Sequence, residues 1–261
     1  MQTLTRSGAG VLVAGADAAD PGLPDRLRAL LDDRRFLVLR GALPRLEDAV
    51  ALLSRFGPIN QAETRKDGAV LVEAARDDEV FRSNHALPLH KDGILTGFDV
   101  SFVGIYCVDF REVSGGRTYV SDATRALEAL PPEHLALLRE RGVEGTAVDQ
   151  TGYYRAEFQG VWHRVPAFKA RPGRKPTLHL GLPHAPGEPE SWRVRVPDVS
   201  AEVSEAVLRS LRAALLDPAR TYFHAWEEGD LLLMDNYAVL HGREAFKGRL
   251  RRLANIQVLA S

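Results

Sequence analysis

The sequence predicts a mainly β domain with helices packed around its sheets. Residues 99–109 are rich in the β-branched and aromatic residues that suit strands. Residues 143–199 have the pattern of short strands separated by turns that contain Gly and Pro. Helical segments occur between strands without the regular alternation of a parallel α/β sheet. We therefore expect one domain over residues 1–261, a sheet fold with peripheral helices.

Five segments show helix-start signals or apolar residues at helical spacing. They are residues 24–32, 46–56, 124–130, 132–141 and 200–216. Proline opens the first and the fourth, and Gly57 with Pro58 ends the second. Asp122 is expected to cap the third helix. The fifth carries an apolar stripe along one face, which is typical of a helix packed on a sheet.

The remaining regular segments are predicted strands. They are residues 36–41, 99–109, 117–122, 143–148, 165–169, 177–182, 192–196, 222–226, 231–236, 238–241 and 253–259. No structure is predicted for the first fifteen residues. Their Gly8-Ala-Gly10 lacks the complete spacing of a nucleotide-binding loop and the helix that should follow it, so we reject that interpretation.

Composition limits the function classes. The chain has 34 basic and 35 acidic residues, so no chain-wide field would attract nucleic acid or an anionic membrane. The sequence shows no signal-peptide pattern and no run of 18 apolar residues, which predicts a cytoplasmic protein. Cys107 is the single cysteine, which excludes an internal disulfide and a cysteine-rich zinc site. Its apolar surroundings predict a packed core thiol.

A metal-binding pattern lies in Leu-Pro-Leu-His90-Lys91-Asp92-Gly. In an extended strand, residues i and i+2 point to the same face, so His90 and Asp92 can present an imidazole and a carboxylate to one point. His241 could supply a third ligand. Two histidines and one carboxylate, with the other positions open, are the ligand set of non-haem Fe(II) oxygenases.

Other polar residues near this pattern allow two interpretations. His163, His179 and His184 lack a compact ligand partner and are interpreted as structural or surface residues. His85 is five residues from His90, the wrong parity for one strand face. The polar stretch 60–85 is either a lid or substrate loop, or a solvated surface excursion.

A basic run, Phe246-Lys-Gly-Arg249-Leu-Arg251-Arg252, follows His241. Such runs are usually solvated turns. Arginine also binds carboxylates through two parallel hydrogen bonds, and a 2-oxo acid co-substrate with a distal carboxylate would need such a cation. Arg252 enters the last predicted strand, so it could face the same cavity as His241.

The order and spacing of these motifs resemble those of the TauD/TfdA family of Fe(II)/2-oxoglutarate-dependent dioxygenases. The resemblance covers residues 85–260 and rests on His90-x-Asp92, Ser114-Gly-Gly-Arg-Thr118, Gly229-Asp-Leu-Leu-Leu-Met-Asp235-Asn236, His241 and Arg252. It implies that His90, Asp92 and His241 bind iron. It also implies that Thr118 and Arg252, the latter eleven residues after His241, hold the far carboxylate of 2-oxoglutarate. The family fold is a double-stranded β-helix, or jelly roll, with helices outside.

The resemblance implies an oxidation that consumes 2-oxoglutarate and O₂ and forms succinate and CO₂. Related halogenases have a small residue at the carboxylate position, so Asp92 favours hydroxylation or desaturation over chlorination. Taurine dioxygenase has a second arginine four residues after its co-substrate arginine. Here that position is Ile256, which argues against a sulfonate substrate.

The context of His90 is more similar to family members of secondary metabolism that oxidise amino-acid-derived small molecules, including the PvcB-like group that acts on isonitrile derivatives of tyrosine. Substrate contacts are expected from nearby polar residues, each of which has a structural or surface role as its alternative. They are Arg82, Asn84, Lys91, Tyr237 and Arg243.

Two other functions could use the same predicted ligands. One is a non-catalytic jelly-roll protein with a structural or sensing metal, which would not need Arg252 or open coordination positions. The other is a metal hydrolase or isomerase on a similar barrel, and zinc hydrolases do not need a dicarboxylate clamp.

Overall fold

The computed structural model describes residues 2–61, 67–72, 80, 83–148, 154, 156–170, 176–248 and 250–260. Its α-helices are α1 (Leu23–Arg34), α2 (Leu46–Ser54), α3 (Ala123–Ala126), α4 (Pro132–Arg141) and α5 (Ala201–Leu215). Short 3₁₀ helices span Leu127–Ala129 and Ala156–Phe158. No helix within these ranges is long and apolar enough to cross a membrane.

The strands occur throughout the chain. They are β1 (Gln2–Thr3), β2 (Val11–Ala14), β3 (Phe36–Arg40), β4 (Val70–Val72), β5 (Leu87–His90), β6 (Val100–Arg111), β7 (Ser114–Gly115), β8 (Thr118–Asp122), β9 (Val143–Ala147), β10 (His163–Val165), β11 (Phe168–Lys169), β12 (Thr177–Leu178), β13 (Trp192–Arg195), β14 (Thr221–His224), β15 (Leu231–Asp235), β16 (Val239–Arg243), β17 (Phe246–Lys247) and β18 (Leu250–Leu259).

Two sheets form the centre of the fold. The major sheet has the strand order β1-β2-β3-β15-β6-β18-β4, and the minor sheet has the order β14-β8-β16-β5. Strands adjacent in space are mostly distant in the chain, and all pairs in these two sheets are antiparallel except β2 with β3. This arrangement is a double-stranded β-helix, or jelly roll, which confirms the predicted fold class.

Three apolar layers hold the sheets and helices together. The first lies between helices α1 and α2 and the outer face of the major sheet, and includes Leu27, Leu53 and Ile256. The second lies between the sheets, where Val103 of β6 meets Val120 of β8. The third lies between the minor sheet and helices α3, α4 and α5, and its members include Leu89, Leu138, Leu211 and Leu240. Each sheet therefore has an inner face toward the other sheet and an outer face toward helices.

Most predicted helices occur within one or two residues of their expected bounds, for reasons visible at their ends. The Asp122 carboxylate accepts hydrogen bonds from the backbone N–H groups of Thr124 and Arg125, so the predicted cap is confirmed. The Ser200 hydroxyl caps α5 by accepting from the N–H of Val203. The third predicted helix, residues 124–130, is instead α3 followed by a 3₁₀ turn.

Several parts of the strand prediction differ from the structure. The predicted strand over residues 165–169 is divided between β10, which ends at Val165, and β11, which begins at Phe168. The predicted strand over residues 177–182 pairs only at Thr177–Leu178. Leu180 and Leu182 are buried without regular pairing, so their apolar character reflects burial against the third layer. The first fifteen residues, for which no structure was predicted, contain β1 and β2. Gly10 is required there, since a Cβ at this position would lie 2.2 Å from the Phe36 ring.

A buried ion-pair network holds the turn that precedes β15 against the end of β3. The carboxylate of Asp230, which is fully buried, accepts hydrogen bonds from Nε and Nη2 of Arg40 at 2.9 and 2.7 Å. Nε2 of His224 lies 3.1 Å from the same carboxylate. Burial alone raises the pKa of Asp230, but the adjacent His224 and the hydrogen bonds from Arg40 outweigh it and hold the pKa below its usual value.

We expect Arg40→Met to lower the free energy of unfolding at pH 7 by about 3 kcal/mol, because it leaves a buried carboxylate without its main partner. A depressed pKa in the folded state stabilises above the unfolded-state pKa of about 4, and this stabilisation is lost as pH falls through the folded-state value. The difference between wild type and variant should therefore shrink in acid.

Urea unfolding between pH 3 and pH 7 measures this difference. Arg45→Met is the matched control, because Arg45 also pairs with an aspartate, Asp48, but its side chain is 70% exposed. It should change stability by less than about 1 kcal/mol. Equal effects of the two substitutions would contradict the assignment of stability to the buried network.

Candidate active site

Two neighbouring strands of the minor sheet bring the predicted histidines together. His90 is the last residue of β5 and pairs with His241 of β16. The register between these strands shifts beyond this pair, so that Arg243 pairs with Leu87. Gly242 allows the shift, because a Cβ there would lie 2.7 Å from the Leu87 carbonyl oxygen.

The ligand atoms of the three predicted metal ligands converge. Oδ1 of Asp92 lies 3.5 Å from Nε2 of His90 and 3.5 Å from Nε2 of His241. One ligand atom from each residue falls within 4.8 Å of the other two, and all three residues are buried. Among the described residues, this is the one such cluster of His, Cys, Asp and Glu side chains.

The charge state of the cluster suits a divalent metal. The His90 ring pairs through Nδ1 with the Pro88 carbonyl oxygen at 2.8 Å, which directs Nε2 toward Asp92. Burial lowers the pKa of His241 to about 4, so this imidazole is neutral. Burial opposes ionisation of Asp92, but the two histidines and Asn255 hold its pKa well below its usual range. One carboxylate and two imidazoles match the donor set that Fe(II) takes.

Asp92 lies just past the end of β5, in a turn, which differs from the predicted continuous strand. Its backbone N–H donates to Oδ1 of Asn236, and its carbonyl oxygen accepts from Nδ2 of Asn236. Gly93 follows with φ +95°, and a Cβ there would lie 2.5 Å from the Phe98 carbonyl oxygen. The side-chain direction still follows the prediction, because Asn236 holds the main chain of Asp92.

The closing strand β18 supplies two amides to the same carboxylate. Nδ2 of Asn255 and Nε2 of Gln257 both donate to Oδ2 of Asp92, at 2.9 and 2.6 Å. The amide of Gln257 in turn accepts a hydrogen bond from Nδ2 of Asn60 at 2.9 Å. The carboxylate thus receives its hydrogen bonds on one oxygen and faces the histidines with the other.

A largely apolar cavity borders His90 and Asp92. Its lining residues are His90, Lys91, Asp92, Gly93, Ile94, Leu95, Tyr154, Gly181 and Trp192. The Trp192 ring lies 5.3 Å from the His90 ring, and its Nε1 donates to the Leu182 carbonyl oxygen. Gly181 makes room for this ring, since a Cβ there would lie 2.8 Å from Nε1. Aromatic side chains therefore form part of the wall next to the metal ligands.

A second group of buried polar residues lies between the two sheets. Thr118 of β8 pairs with Arg243 of β16, and its hydroxyl oxygen accepts a hydrogen bond from Nε1 of Trp226 at 3.2 Å. The guanidinium of Arg251 donates from Nε to the Gly116 carbonyl oxygen at 3.0 Å. Burial, and then the nearby Arg243, lowers the pKa of Arg251 well below its ordinary value. Among the described residues, no carboxylate forms an ion pair with Arg251.

Arg251, and not Arg252, lies on the inner face of β18. Side chains alternate along a strand, and Asn255 and Gln257 of β18 point to Asp92. Arg251 shares their parity and is 3% exposed. Arg252 has the opposite parity, is half-buried and pairs with Asp109 on the outer face. Arg252 therefore lies on the face of β18 opposite to Asn255 and Gln257, whereas the predicted contact with 2-oxoglutarate would need the inner face.

The predicted substrate residues lie in different places. Nζ of Lys91 points away from the metal ligands and donates to the Tyr237 carbonyl oxygen at 2.7 Å. The Tyr237 hydroxyl donates to Asp99 at 2.6 Å, near the surface. The side chain of Asn84 is exposed. These positions favour structural or surface roles.

Arg243 is buried on the same face as His241. Its guanidinium donates to the carbonyl oxygens of Val80 and His85, which flank Arg82 in the sequence. Burial lowers the pKa of Arg243 to about 10. Arg82 and just over half of the stretch 60–85, for which a lid and a surface excursion were the two interpretations, lie outside the described residues.

The other sequence interpretations can be placed as well. Cys107 is buried, and burial raises the pKa of its thiol to about 12, consistent with a core residue. His184 packs against Trp192 and accepts from the N–H of Ser191, away from the ligand cluster. His163 pairs with the Glu157 carbonyl oxygen.

Four polar residues of this site were not predicted from the sequence: Arg251, Asn236, Asn255 and Gln257. A signal for three of them was present in the last strand. Asn255 and Gln257 are polar residues at alternate positions of an otherwise apolar segment, and Arg251 has the same parity, with Leu253 between. Asn236 carried no comparable local signal.

Comparison with known proteins agrees with this geometry. The model of the taurine catabolism dioxygenase TauD, TfdA family matches residues 3–257. The chain is 29% identical to a tyrosine isonitrile desaturase of Pseudomonas aeruginosa, with 87% of this chain and 77% of that protein covered. It is 28% identical to a tyrosine isonitrile desaturase of Erwinia amylovora, over 84% and 75% of the two chains.

Solved structures show the same fold. PvcB, described as an Fe, α-ketoglutarate-dependent oxygenase from an isonitrile synthetic pathway, superposes with a TM-score of 0.72 at 26% identity, over 97% of this chain and 86% of that chain. AAD-2, solved with Mn(II) and N-oxalylglycine, superposes with a TM-score of 0.74 at 19% identity, over 97% and 95%.

The jelly roll and its buried His-Asp-His cluster define an enzyme of the Fe(II)- and 2-oxoglutarate-dependent dioxygenase class, with O₂ as the second co-substrate. The chain belongs to the TauD/TfdA family. The catalytic interpretation is therefore favoured over a non-catalytic metal-binding protein.

We expect His90→Ala to weaken Mn(II) binding at least about 100-fold, because it removes one of three protein ligands. His184→Ala is the control, since His184 is also a buried histidine near Trp192 but points away from the cluster. Isothermal titration of each apo protein with Mn(II) measures the affinities. Similar losses in both variants would contradict the ligand assignment.

Proposed function

We propose that this enzyme desaturates a small aromatic, amino-acid-derived isonitrile, with a tyrosine-derived isonitrile as the first candidate. The observation that supports the proposal is the cavity beside His90 and Asp92, whose wall includes Tyr154 and Trp192. Flat aromatic walls suit an aryl group, which they contact without requiring a charged partner. The two relatives named as tyrosine isonitrile desaturases supply the isonitrile part of the proposal.

The proposed desaturation is a two-electron oxidation of the substrate coupled to the oxidation of 2-oxoglutarate. The substrate loses two hydrogens to form a carbon–carbon double bond. 2-Oxoglutarate is oxidised and loses CO₂ to give succinate, which keeps one oxygen atom of O₂, and the other leaves as water. The bound iron supplies the oxidising chemistry when both co-substrates are present. The residues of the chain position the target C–H bonds and exclude bulk water from the cavity.

The metal ligands in this proposal are His90, Asp92 and His241. Asp92 occupies the coordination position that halogenases leave vacant, which favours oxygenation chemistry over chlorination. Hydroxylation of the same carbon remains the second outcome, since both reactions begin by removing hydrogen from the substrate.

We assign the distal carboxylate of 2-oxoglutarate to Arg251 and Thr118, with Arg251 in place of the predicted Arg252. A buried guanidinium is unfavourable unless an anion compensates it, and a bound carboxylate would provide that compensation. Arg243 adds positive charge nearby, although its own hydrogen bonds hold the chain around residues 80–85.

Trp226 sets the direction of the Thr118 hydrogen bond. Because the hydroxyl oxygen of Thr118 accepts from the indole N–H, its own proton is free to be donated. A carboxylate can only accept hydrogen bonds, so this orientation suits the proposed ligand. Trp226 therefore acts on co-substrate binding through Thr118.

The position of Arg251 also bears on the substrate. Taurine dioxygenase has a second arginine four residues after its co-substrate arginine. Counting from Arg251, that position is Asn255, which donates to Asp92. Neither Asn255 nor Ile256 carries a charge, so a sulfonate substrate is disfavoured whether the four residues are counted from Arg251 or from Arg252.

The cytoplasmic location, the single domain and the lack of a nucleic-acid partner remain predictions from the sequence.

Arg251→Gln should weaken 2-oxoglutarate binding about 100-fold, because a buried charge-assisted contact to a carboxylate contributes about 3 kcal/mol. The neighbouring Arg252→Gln is the matched control and should leave binding within about twofold of wild type. Titration of the anaerobic Fe(II) protein with 2-oxoglutarate, followed by its visible charge-transfer absorption, measures both. A larger loss of 2-oxoglutarate affinity in Arg252→Gln than in Arg251→Gln would instead assign the distal carboxylate to Arg252.

Incubation of the purified protein with Fe(II), 2-oxoglutarate, O₂ and tyrosine isonitrile tests the proposed substrate. Mass spectrometry should show a product that is two hydrogens lighter than the substrate, with succinate formed in equal amount. A product one oxygen heavier would change the outcome to hydroxylation. Succinate formation that this compound does not stimulate above the background would contradict the substrate assignment.

A further inference from the structure

The two oxygens of the Asp92 carboxylate have different surroundings. Oδ1 faces Nε2 of His90 and of His241 at 3.5 Å each. Oδ2 accepts hydrogen bonds from Asn255 at 2.9 Å and Gln257 at 2.6 Å. A carboxylate oxygen accepts about two hydrogen bonds in its plane, so the two amides occupy the lone pairs of Oδ2.

A hydrogen bond from Asn60 fixes the orientation of the Gln257 side-chain amide. Its Oε1 accepts from Nδ2 of Asn60 at 2.9 Å, so its NH₂ group must point to Asp92. The backbone N–H of Asn60 also donates to the Gln257 carbonyl oxygen at 2.9 Å. Both residues are buried, with 3% of each exposed. Because Asn60 holds both its side chain and its main chain, Gln257 cannot turn its oxygen toward the carboxylate without breaking a buried hydrogen bond.

We propose that Asn255 and Gln257 restrict Asp92 to binding iron through Oδ1 alone, and thereby keep one coordination position open. We call the two residues the amide clamp. The proposal rests on the iron site of the proposed function. An octahedral metal has six positions, of which the protein takes about three and 2-oxoglutarate two, leaving one for O₂. Carboxylates also bind metals through both oxygens, and Asp92 would then fill that last position.

The amide clamp consists of positioning residues, which act through Asp92. Its two amides supply the hydrogen bonds that a buried carboxylate needs on the oxygen that does not face the histidines. Without them, Oδ2 would lack partners, and the metal would be the nearest group able to compensate its charge. The clamp should therefore affect the number of water molecules on the metal, which a purely structural role would not change.

The test counts water molecules on Mn(II), which replaces iron and does not react with O₂. The longitudinal relaxation rate of water protons rises with the number of exchanging waters on bound Mn(II), and bound Mn(II) is quantified by electron paramagnetic resonance. Wild type should hold about three waters, and about one after 2-oxoglutarate is added. The double variant Asn255→Leu with Gln257→Met should hold about two, a fall of about a third, and none after 2-oxoglutarate.

Asn60→Leu provides a second variant that does not touch Asp92, and it carries the test if the double variant does not fold. Because it frees the Gln257 amide to turn, relaxivity should fall in the same direction by a smaller amount. Ser101→Ala is the control for loss of a buried polar group beside β18, since the Ser101 hydroxyl donates to the carbonyl oxygens of Val258 and Leu259. It should leave relaxivity unchanged.

Unchanged relaxivity per bound Mn(II) in both folded clamp variants would overturn the proposal while leaving the metal site intact. Failure of the wild-type protein to bind Mn(II) would instead overturn the metal site, and the clamp with it. Loss of relaxivity in Ser101→Ala equal to that in the clamp variants would also overturn the proposal, because the change would then follow from general loosening of β18.

Discussion

The burial of one ionised carboxylate, Asp92, between two histidines is the constraint on which the rest of the site depends. A buried carboxylate without partners would be strongly unfavourable or would take up a proton. Here two amides compensate it, because Asn255 and Gln257 both donate to Oδ2, while Asn236 holds the main chain of Asp92. The remaining oxygen faces His90 and His241. The charge that attracts the metal is therefore stabilised before the metal binds.

The two-sheet architecture makes this arrangement possible, because it brings strands that are far apart in sequence to one cavity. The minor sheet contributes His90 and His241 from neighbouring strands. The major sheet contributes the amides of β18, which faces the minor sheet across the second apolar layer.

Strand β18 also links the two halves of the site. Its inner face carries Arg251 toward one end and Gln257 toward the other. The cationic group and the metal ligands are thus fixed by the same strand, which sets the distance that a dicarboxylate co-substrate would have to span.

Local sequence patterns were sufficient to predict several parts of the molecule. The His90-x-Asp92 spacing and the later His241 identified the ligand cluster, and cap and proline signals placed most helices. These features depend on residues close together in the chain, where side-chain direction follows from backbone geometry. The assignment of Arg252 needed a single-residue register, and counting from His241 across a loop does not determine it. The alternation of side chains along β18 does determine this register, because the contact of Asn255 with Asp92 shows which face is the inner one.

The remaining features depended on contacts that a single sequence does not encode locally. Asn236 and Asp92 are joined only because the turn after β15 approaches the end of β5. Asn60 contacts Gln257 although the two residues are 197 positions apart in the chain. The first two strands were missed because β1 is only two residues long and β2 follows a Gly- and Ala-rich segment. β2 pairs with β3, and β1 pairs with β2.

A crystal structure with Mn(II) and 2-oxoglutarate, grown without O₂, tests the central claim most directly. The account predicts one metal bound by Nε2 of His90, Nε2 of His241 and Oδ1 of Asp92, with the distal carboxylate on Arg251 and Thr118. A metal bound by both oxygens of Asp92, or a carboxylate held by Arg252, would contradict it.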